Sequence, residues 1–372
     1  MIRSLTIEGY RCFERFEMAD LGRVNLLVGT NNCGKTCVLE ALWLLGAGGD
    51  PRVLLDIMRR RGEMLASRGQ STRNQTEGDI CHLFHGRRIQ LGSRFTIHCE
   101  TNSGSRFAEW VVKELEDDAQ SLFSQEEDEP AYSRAPPSAL CFDSNEGEAP
   151  AQLPLSSREG LPFDTVRRSR GWPVGDLKRV PPQFLGTESL SPSEVVAFWS
   201  DIALTPKEEL VLRALRTIEP DTEKIAPSLP VDPGYGHPHV RGGMKAKMRS
   251  NDEPIPLGSM GDGMWRMVSL AIAGISCRDS VLLVDEIDTG LHYTVMEGMW
   301  KMLYEIAREF NVQVFATTHS SDCVRSLSSI CREEVREESE VTIQRIEPDH
   351  TKAVAYSERQ VTISEKQQIE VR

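Results

Sequence analysis

The chain has 372 residues, 39% hydrophobic and 27% charged, with a formal net charge of −13 and nine cysteines. That length and composition fit a folded, soluble protein with a substantial core and exclude a low-complexity chain; the acidic balance gives no overall nucleic-acid signature. No apolar run approaches the roughly 20 residues of a membrane span, no signal-peptide core opens the chain and no C-x-x-C pair occurs, so a zinc site and a secreted disulfide framework are disfavoured and a cytoplasmic setting is expected.

Ile2 to Gly9 reads as a strand, with Leu5 and Ile7 alternating against polar neighbours. Arg11-Cys12-Phe13 turns, and Phe16 to Leu21 is predicted as a returning strand. Arg11 is a candidate for contacting nucleotide phosphate or base; the alternative is a solvated turn arginine. Val24-Asn25-Leu26-Leu27-Val28 is apolar enough for a buried strand. It leads into Gly29-Thr30-Asn31-Asn32-Cys33-Gly34-Lys35-Thr36, which fits G-x-x-x-x-G-K-[ST], the phosphate-binding P-loop. Val38, Leu39, Ala41, Leu42 and Leu45 then give a helix one apolar face. Strand, loop and helix N-terminus are what the motif needs, because backbone N–H groups and the helix dipole converge there on anionic oxygens. Lys35 would reach the outer phosphates of ATP, and the Thr36 hydroxyl would hold Mg²⁺.

Gly46 to Pro51 breaks the pattern, and a second helix ends in Arg59-Arg60-Arg61, an ordinary placement of cations near a helix C-terminus. Asp79 to Arg88 reads as a short turn or helix. Ser93–Thr101 and Arg106–Val112 are predicted as a hairpin through Asn102-Ser103-Gly104. From Glu114 to Pro150 the composition shifts to acidic residues, proline, serine and glycine, which predicts a mobile, solvated loop. A basic stretch follows at 166–170 and 178–179, read as a solvated loop. Ser191-Pro192-Ser193-Glu194 and Thr205-Pro206-Lys207-Glu208 both read as capping boxes with proline at the first helical position, opening a helical insert. His239 to Lys247 reads as a basic hairpin with a Gly-Gly turn.

Three further motifs carry chemistry. Ser280 to Val284 is an apolar strand ending in Asp285-Glu286, a Walker B pattern. Asp285 would hold the Mg²⁺ shell and Glu286 would orient or deprotonate the attacking water. Asn311 to Thr317 is another strand ending in a polar switch, with His319 placed to sense a γ-phosphate. Leu257-Gly258-Ser259-Met260-Gly261 precedes an apolar helix, a second anion-binding N-terminus that suits the nucleotide of another copy of the protein.

In this order the motifs, with Asp288-Thr289-Gly290-Leu291-His292 after the Walker B carboxylates, resemble the ABC-type ATPases of the SMC-like branch, and most closely the overcoming-lysogenisation-defect and abortive-infection group. The resemblance covers residues 1–90 and 180–372. It implies an α/β fold: an ABC-type P-loop ATPase core with an N-terminal antiparallel β subdomain and a helical insert. The expected partition is 1–113 for a lobe with the P-loop, 114–180 for a variable insert, 181–256 for the helical insert and hairpin, and 257–372 for a C-terminal lobe. The resemblance also implies two copies closing head-to-tail over two ATP molecules, with Ser259 and Gly261 on the partner's γ-phosphate and Asp288 at the dimer contact. The signature departs from the transporter Leu-Ser-Gly-Gly-Gln, and no glutamine stands out as a Q-loop, Gln183 being the candidate. Only about 50 residues follow His319, fewer than a domain of typical size, so a Toprim nuclease domain is not expected in this chain. Two roles remain open: a sensor or scaffold ATPase of bacterial anti-phage defence working with a separately encoded effector, or a DNA-maintenance ATPase binding nucleic acid directly. No membrane partner is expected.

Overall fold

Val24–Val28, Val281–Val284 and Gln313–Thr317 are mostly apolar, and with Val341–Arg345 they are buried almost throughout, the pattern of strands covered on both faces. In the computed structural model they lie side by side; it describes residues 1–65, 77–115, 138–145, 151–156, 158–163, 166, 180–228, 243–331 and 339–367. Val24–Val28 sits centrally, parallel to Gln313–Thr317 on one side and Val341–Arg345 on the other. Val281–Val284 pairs parallel with Gln313–Thr317. Gln183–Leu185 adds a parallel edge, and Val354–Ser357 closes the opposite edge antiparallel. Three adjacent strands therefore end, on the same side of the sheet, in the P-loop, in Asp285-Glu286 and in Thr317-Thr318-His319. In open α/β sheets that carboxyl edge is where ligands bind.

This sheet belongs to one of two compact units, made of Met1, Met18–Leu39 and Arg179–Arg372. The helix Asp262–Ser276 buries most of its length in that unit's core, and Tyr293–Glu309 buries one face there. Their tryptophans satisfy their N–H groups on backbone carbonyls: Trp265 on Leu190 at 3.0 Å and Trp300 on Cys323 at 3.1 Å. Pro192–Trp199 begins with the predicted box, with Ser191 Oγ accepting from Glu194 N and the Glu194 carboxylate accepting from Ser191 N. The second predicted box does not form. Lys207–Arg216 has Pro206 at its cap, Thr205 Oγ1 donates backwards to Ile202 O at 2.6 Å, and the Glu208 carboxylate accepts from Leu204 N. Both helices pack into the core rather than extend from it. Met244–Met248 is the middle strand of a three-stranded sheet, between Thr222–Pro227 and Ile255–Pro256. Residues 239–242 of the expected hairpin lie outside the described residues.

The other unit comprises Ile2–Glu17 and Glu40–Lys178. Its six strands run in the order Phe13–Met18, Ile2–Tyr10, Arg94–Thr101, Gly104–Glu114, Ser138–Ser144 and Ala151–Pro154. The returning strand begins three residues earlier than expected, because Arg11 turns the chain within two residues at φ 52° and Phe13 is already buried. A second correction falls in the acidic stretch: Ser138–Ser144 is a strand rather than a mobile loop. Ala139-Leu140-Cys141-Phe142 is buried and pairs antiparallel with Gly104–Glu114. Residues 116–137 and 146–150 of that stretch lie outside the described residues, as does the basic segment except for Val166. Phe95 stacks on Trp110 at 4.8 Å and Trp110 meets Phe142 at 5.0 Å, tying three strands together. The arginines ending Pro51–Arg61 have structural work. Arg59 lies over Phe163, Arg60 over Trp43, and Arg61 pairs with Glu40 at 2.6 Å. Among the described residues no helix is long and apolar enough to cross a membrane.

Candidate functional site

The P-loop follows its strand directly, and Lys35 opens the helix Lys35–Gly46. Gly29 holds φ 145°, and a Cβ there would meet the Ile346 carbonyl and the Cys33 sulfur, so no other residue suits that turn. Lys35 is 6% exposed. Its Nζ donates to the carbonyls of Gly29 and Thr30 at 2.9 and 2.7 Å and lies 3.7 Å from Cys33 Sγ. Burial pulls its pKa below the ordinary lysine value, while Cys33, Asp285 and Glu286 act in the opposite sense. Gly34 is buried; Thr30, Asn31 and Asn32 are exposed.

Parallel pairing puts Val284 level with Ala316, and Thr317 level with Leu27. Asp285 consequently emerges between two threonines. Thr36 Oγ1 donates to its two carboxylate oxygens at 3.1 and 3.2 Å, and Thr317 Oγ1 donates to Oδ1 at 2.7 Å. The Thr36 hydroxyl and the Asp285 carboxylate are hard oxygen donors of the kind Mg²⁺ takes, so the residues present fit that ion.

Glu286 holds φ 45°, a left-handed conformation that costs a residue with a Cβ about 1–3 kcal/mol and is kept only where neighbours over-determine it. Here its N–H donates to Thr317 Oγ1 at 2.8 Å and its carbonyl accepts from Arg266 Nη2 at 2.9 Å. The side chain is exposed and lines a cleft of about 450 Å³ with Asn31, Asn32, Asp288 and His319. Asp288 is oriented by Thr318 Oγ1, which donates to Oδ1 at 2.5 Å. One open cleft thus gathers a loop that can cradle phosphate, a carboxylate able to accept a proton from water, and an imidazole.

Ser259 lies in the short turn Leu257–Met260, and Gly261 precedes the helix Asp262–Ser276; both are exposed. Gly263, in the first turn of that helix, approaches the Asp288–His292 turn so closely that a Cβ would stand 3.1 Å from Gly290 O.

Arg11 is not a solvated turn arginine: its side chain is 6% exposed. It lies in the other unit, where its guanidinium is spent on Glu40 at 2.8 Å, on both oxygens of Glu63 at 2.6 and 3.0 Å, and on Tyr10 Oη at 3.1 Å. Burial works against its charge, but Tyr10, Glu40 and Glu63 overcome that and raise its pKa. These bonds tie the turn at Arg11 to Glu40 and Glu63 within that unit. Gln183 opens the edge strand Gln183–Leu185.

Sequence reasoning passed over Thr317, Thr318 and Arg266. The two threonines look like ordinary strand residues. Arg266 carried a readable signal: a cation inside Met264–Ile275, where every residue is buried.

Comparison with known proteins points to an ATPase. A family model described as an AAA ATPase domain matches residues 1–130 and 200–324. An "ATP/GTP phosphatase" of Helicobacter pylori is 22% identical over 357 residues, 90% of this chain and 89% of that protein. Among solved structures, an SMC head bound to the C-winged helix domain of ScpA is similar with a TM-score of 0.51 at 12% identity, over 96% of this chain and 97% of that one. That likeness shows the fold.

Proposed function

Because this chain belongs to the AAA ATPase domain family and is an ATPase with an ABC-type, SMC-like P-loop core, we propose that two copies close over ATP and that each hydrolyses it at a composite site. The observation that carries the proposal is the single cleft joining Asn31, Asn32, Glu286, Asp288 and His319, beside Lys35, Thr36 and Asp285.

In this reading the P-loop amides and Lys35 bind the β- and γ-phosphates. Thr36 and Asp285 would hold Mg²⁺, which when bound neutralises phosphate charge. Glu286 takes the proton of the attacking water, and His319 contacts the γ-phosphate. Ser259 and Gly261 act on the nucleotide of the other copy; their exposure at a helix N-terminus supports this assignment. Asp288 lies at the contact between copies.

The test is complementation between variants. Ser259→Arg should bind ATP but not hydrolyse it, and Lys35→Ala should not bind it. Mixing the two should restore part of the ATPase activity, because one composite site regains both halves. Mixtures that stay inactive at every ratio would refute the head-to-tail arrangement.

For the wider role we propose a sensor or scaffold of bacterial anti-phage defence that controls a separately encoded effector. What supports it is the wording of the P-loop and of Asp285–His292, which resembles the overcoming-lysogenisation-defect and abortive-infection group. Native mass measurement of the complex drawn from its own host, with ATP present, tests it. A stoichiometric small partner that is not an ATPase is expected. Salt-dependent DNA binding by the pure protein without such a partner would favour DNA maintenance instead.

A further inference from the structure

Arg266 lies in the second turn of Asp262–Ser276 and is 1% exposed. All the hydrogen bonds of its guanidinium go to neutral oxygens. Nη2 donates to the carbonyls of Asp285 and Glu286, each at 2.9 Å. Nη1 donates to Gly186 O at 2.5 Å and to Ser189 Oγ at 3.3 Å, and Nε lies 3.5 Å from Ile287 O. Three successive carbonyls, centred on the strained Glu286, are thus held by one side chain.

Packing alone does not call for this residue. Burial disfavours the charge and draws the Arg266 pKa down to about 10, against the pull of Asp288, Asp285, Glu188 and Glu286. A methionine would fill the space without that penalty. What it lacks is a rigid planar fork of donors that can grip several acceptors at once. The same helix starts just after Ser259 and Gly261, and Gly263 in its first turn abuts Gly290. It therefore touches the turn from Asp285 to Leu291 at two levels, one at Gly263 and one at Arg266.

We infer that Arg266 is a positioning residue for hydrolysis. It fixes the main chain of Glu286 so that the carboxylate faces the cleft, and it ties that orientation to the helix that follows Ser259 and Gly261. The inference rests on Glu286 being the hydrolytic base.

Full-length Arg266→Lys and Arg266→Met are compared with wild type under Mg²⁺ and ATP. The readouts are kcat, KM and equilibrium ATP affinity, with kcat referred to the concentration of sites that bind ATP. Lysine keeps the charge, but its single ammonium cannot span the three carbonyls. The expected result is a fall in kcat of at least tenfold for both variants, with ATP affinity within twofold of wild type. A residue that only supports the fold would reduce the number of binding sites and leave kcat per site unchanged. If Arg266→Met does not fold, Arg266→Lys decides alone. A kcat within twofold of wild type in Arg266→Lys, or an affinity that falls as far as kcat, overturns the inference. Glu286→Gln in the same assay separates the two ideas. Slow turnover there with normal turnover in Arg266→Lys removes only the positioning role, whereas normal turnover in Glu286→Gln removes the base and with it this inference.

Discussion

Glu286 sits at φ 45°, and the proposed mechanism makes its backbone strain part of the site. Replacing it with glycine should therefore stabilise the protein while abolishing hydrolysis. The reference is Glu286→Gln rather than wild type, since both variants remove the negative charge beside Asp285 and Asp288 and only glycine relieves the backbone. A left-handed residue with a Cβ costs about 1–2 kcal/mol, and glycine gives back about 0.5–1 kcal/mol through its freedom in the unfolded chain. The net gain is about 0.5–1 kcal/mol. The 3.4 Å contact from Thr289 Oγ1 to Glu286 is too long to change that sum. Unfolding entropy near 2.1 cal/mol/K per residue over 372 residues converts the gain to about 1 °C in melting temperature. Replicate thermal and urea unfolding of the two variants resolves such a difference, and ATPase assays should find both slower than wild type by about a hundredfold or more. A glycine variant no more stable than the glutamine variant would refute the strained-backbone account.

Other outcomes follow from the same geometry. Lys35→Ala should abolish ATP binding in a titration, because the outer phosphates lose their point counter-ion. Glu286→Gln should still bind ATP and run as a larger species with ATP than without it in size-exclusion chromatography, since blocked hydrolysis lets the closed dimer accumulate. Equal size under both conditions would remove nucleotide-driven dimerisation. Ser191→Ala should destabilise by about 1 kcal/mol in denaturant unfolding, and Thr205→Ala by less, because Ser191 closes a full capping box with Glu194 whereas Thr205 Oγ1 accepts only a 3.3 Å bond from Lys207 N.

The loops that face the cleft were legible in the sequence because each follows a strand buried on both faces. Val24–Val28, Val281–Val284 and Gln313–Thr317 announce themselves as apolar runs, and the polar residue that ends each run marks the carboxyl edge. What one dimension hides is adjacency. Nothing in the sequence says that the strand before the P-loop lies between Gln313–Thr317 and Val341–Arg345, so Thr317 could not be seen as the donor that orients Asp285. Ser138–Ser144 was obscured because four apolar residues are diluted by the acidic residues around them. Thr205 carried the letters of a capping box, yet Leu204 at φ 61° turns the chain so that Glu208 reaches Leu204 N and the box is displaced by one residue. The ion pairs of Arg11 were hidden because Glu40 and Glu63 lie farther along the chain.

The central strand has a consequence for biosynthesis. Val24 pairs with Val314 and with Val341, so the nearer of its neighbours is translated 290 residues later. At about 5–20 residues per second a ribosome needs roughly 15–60 s to supply them. Through that interval Val24–Val28, apolar but for Asn25, waits without its sheet, exposed to pairing with the wrong edge. Asp285 and Thr317 emerge in the same late stretch. A stalled or truncated nascent chain therefore carries a phosphate loop without the carboxylate that faces it, and hydrolytic competence arrives only when the last strands are made.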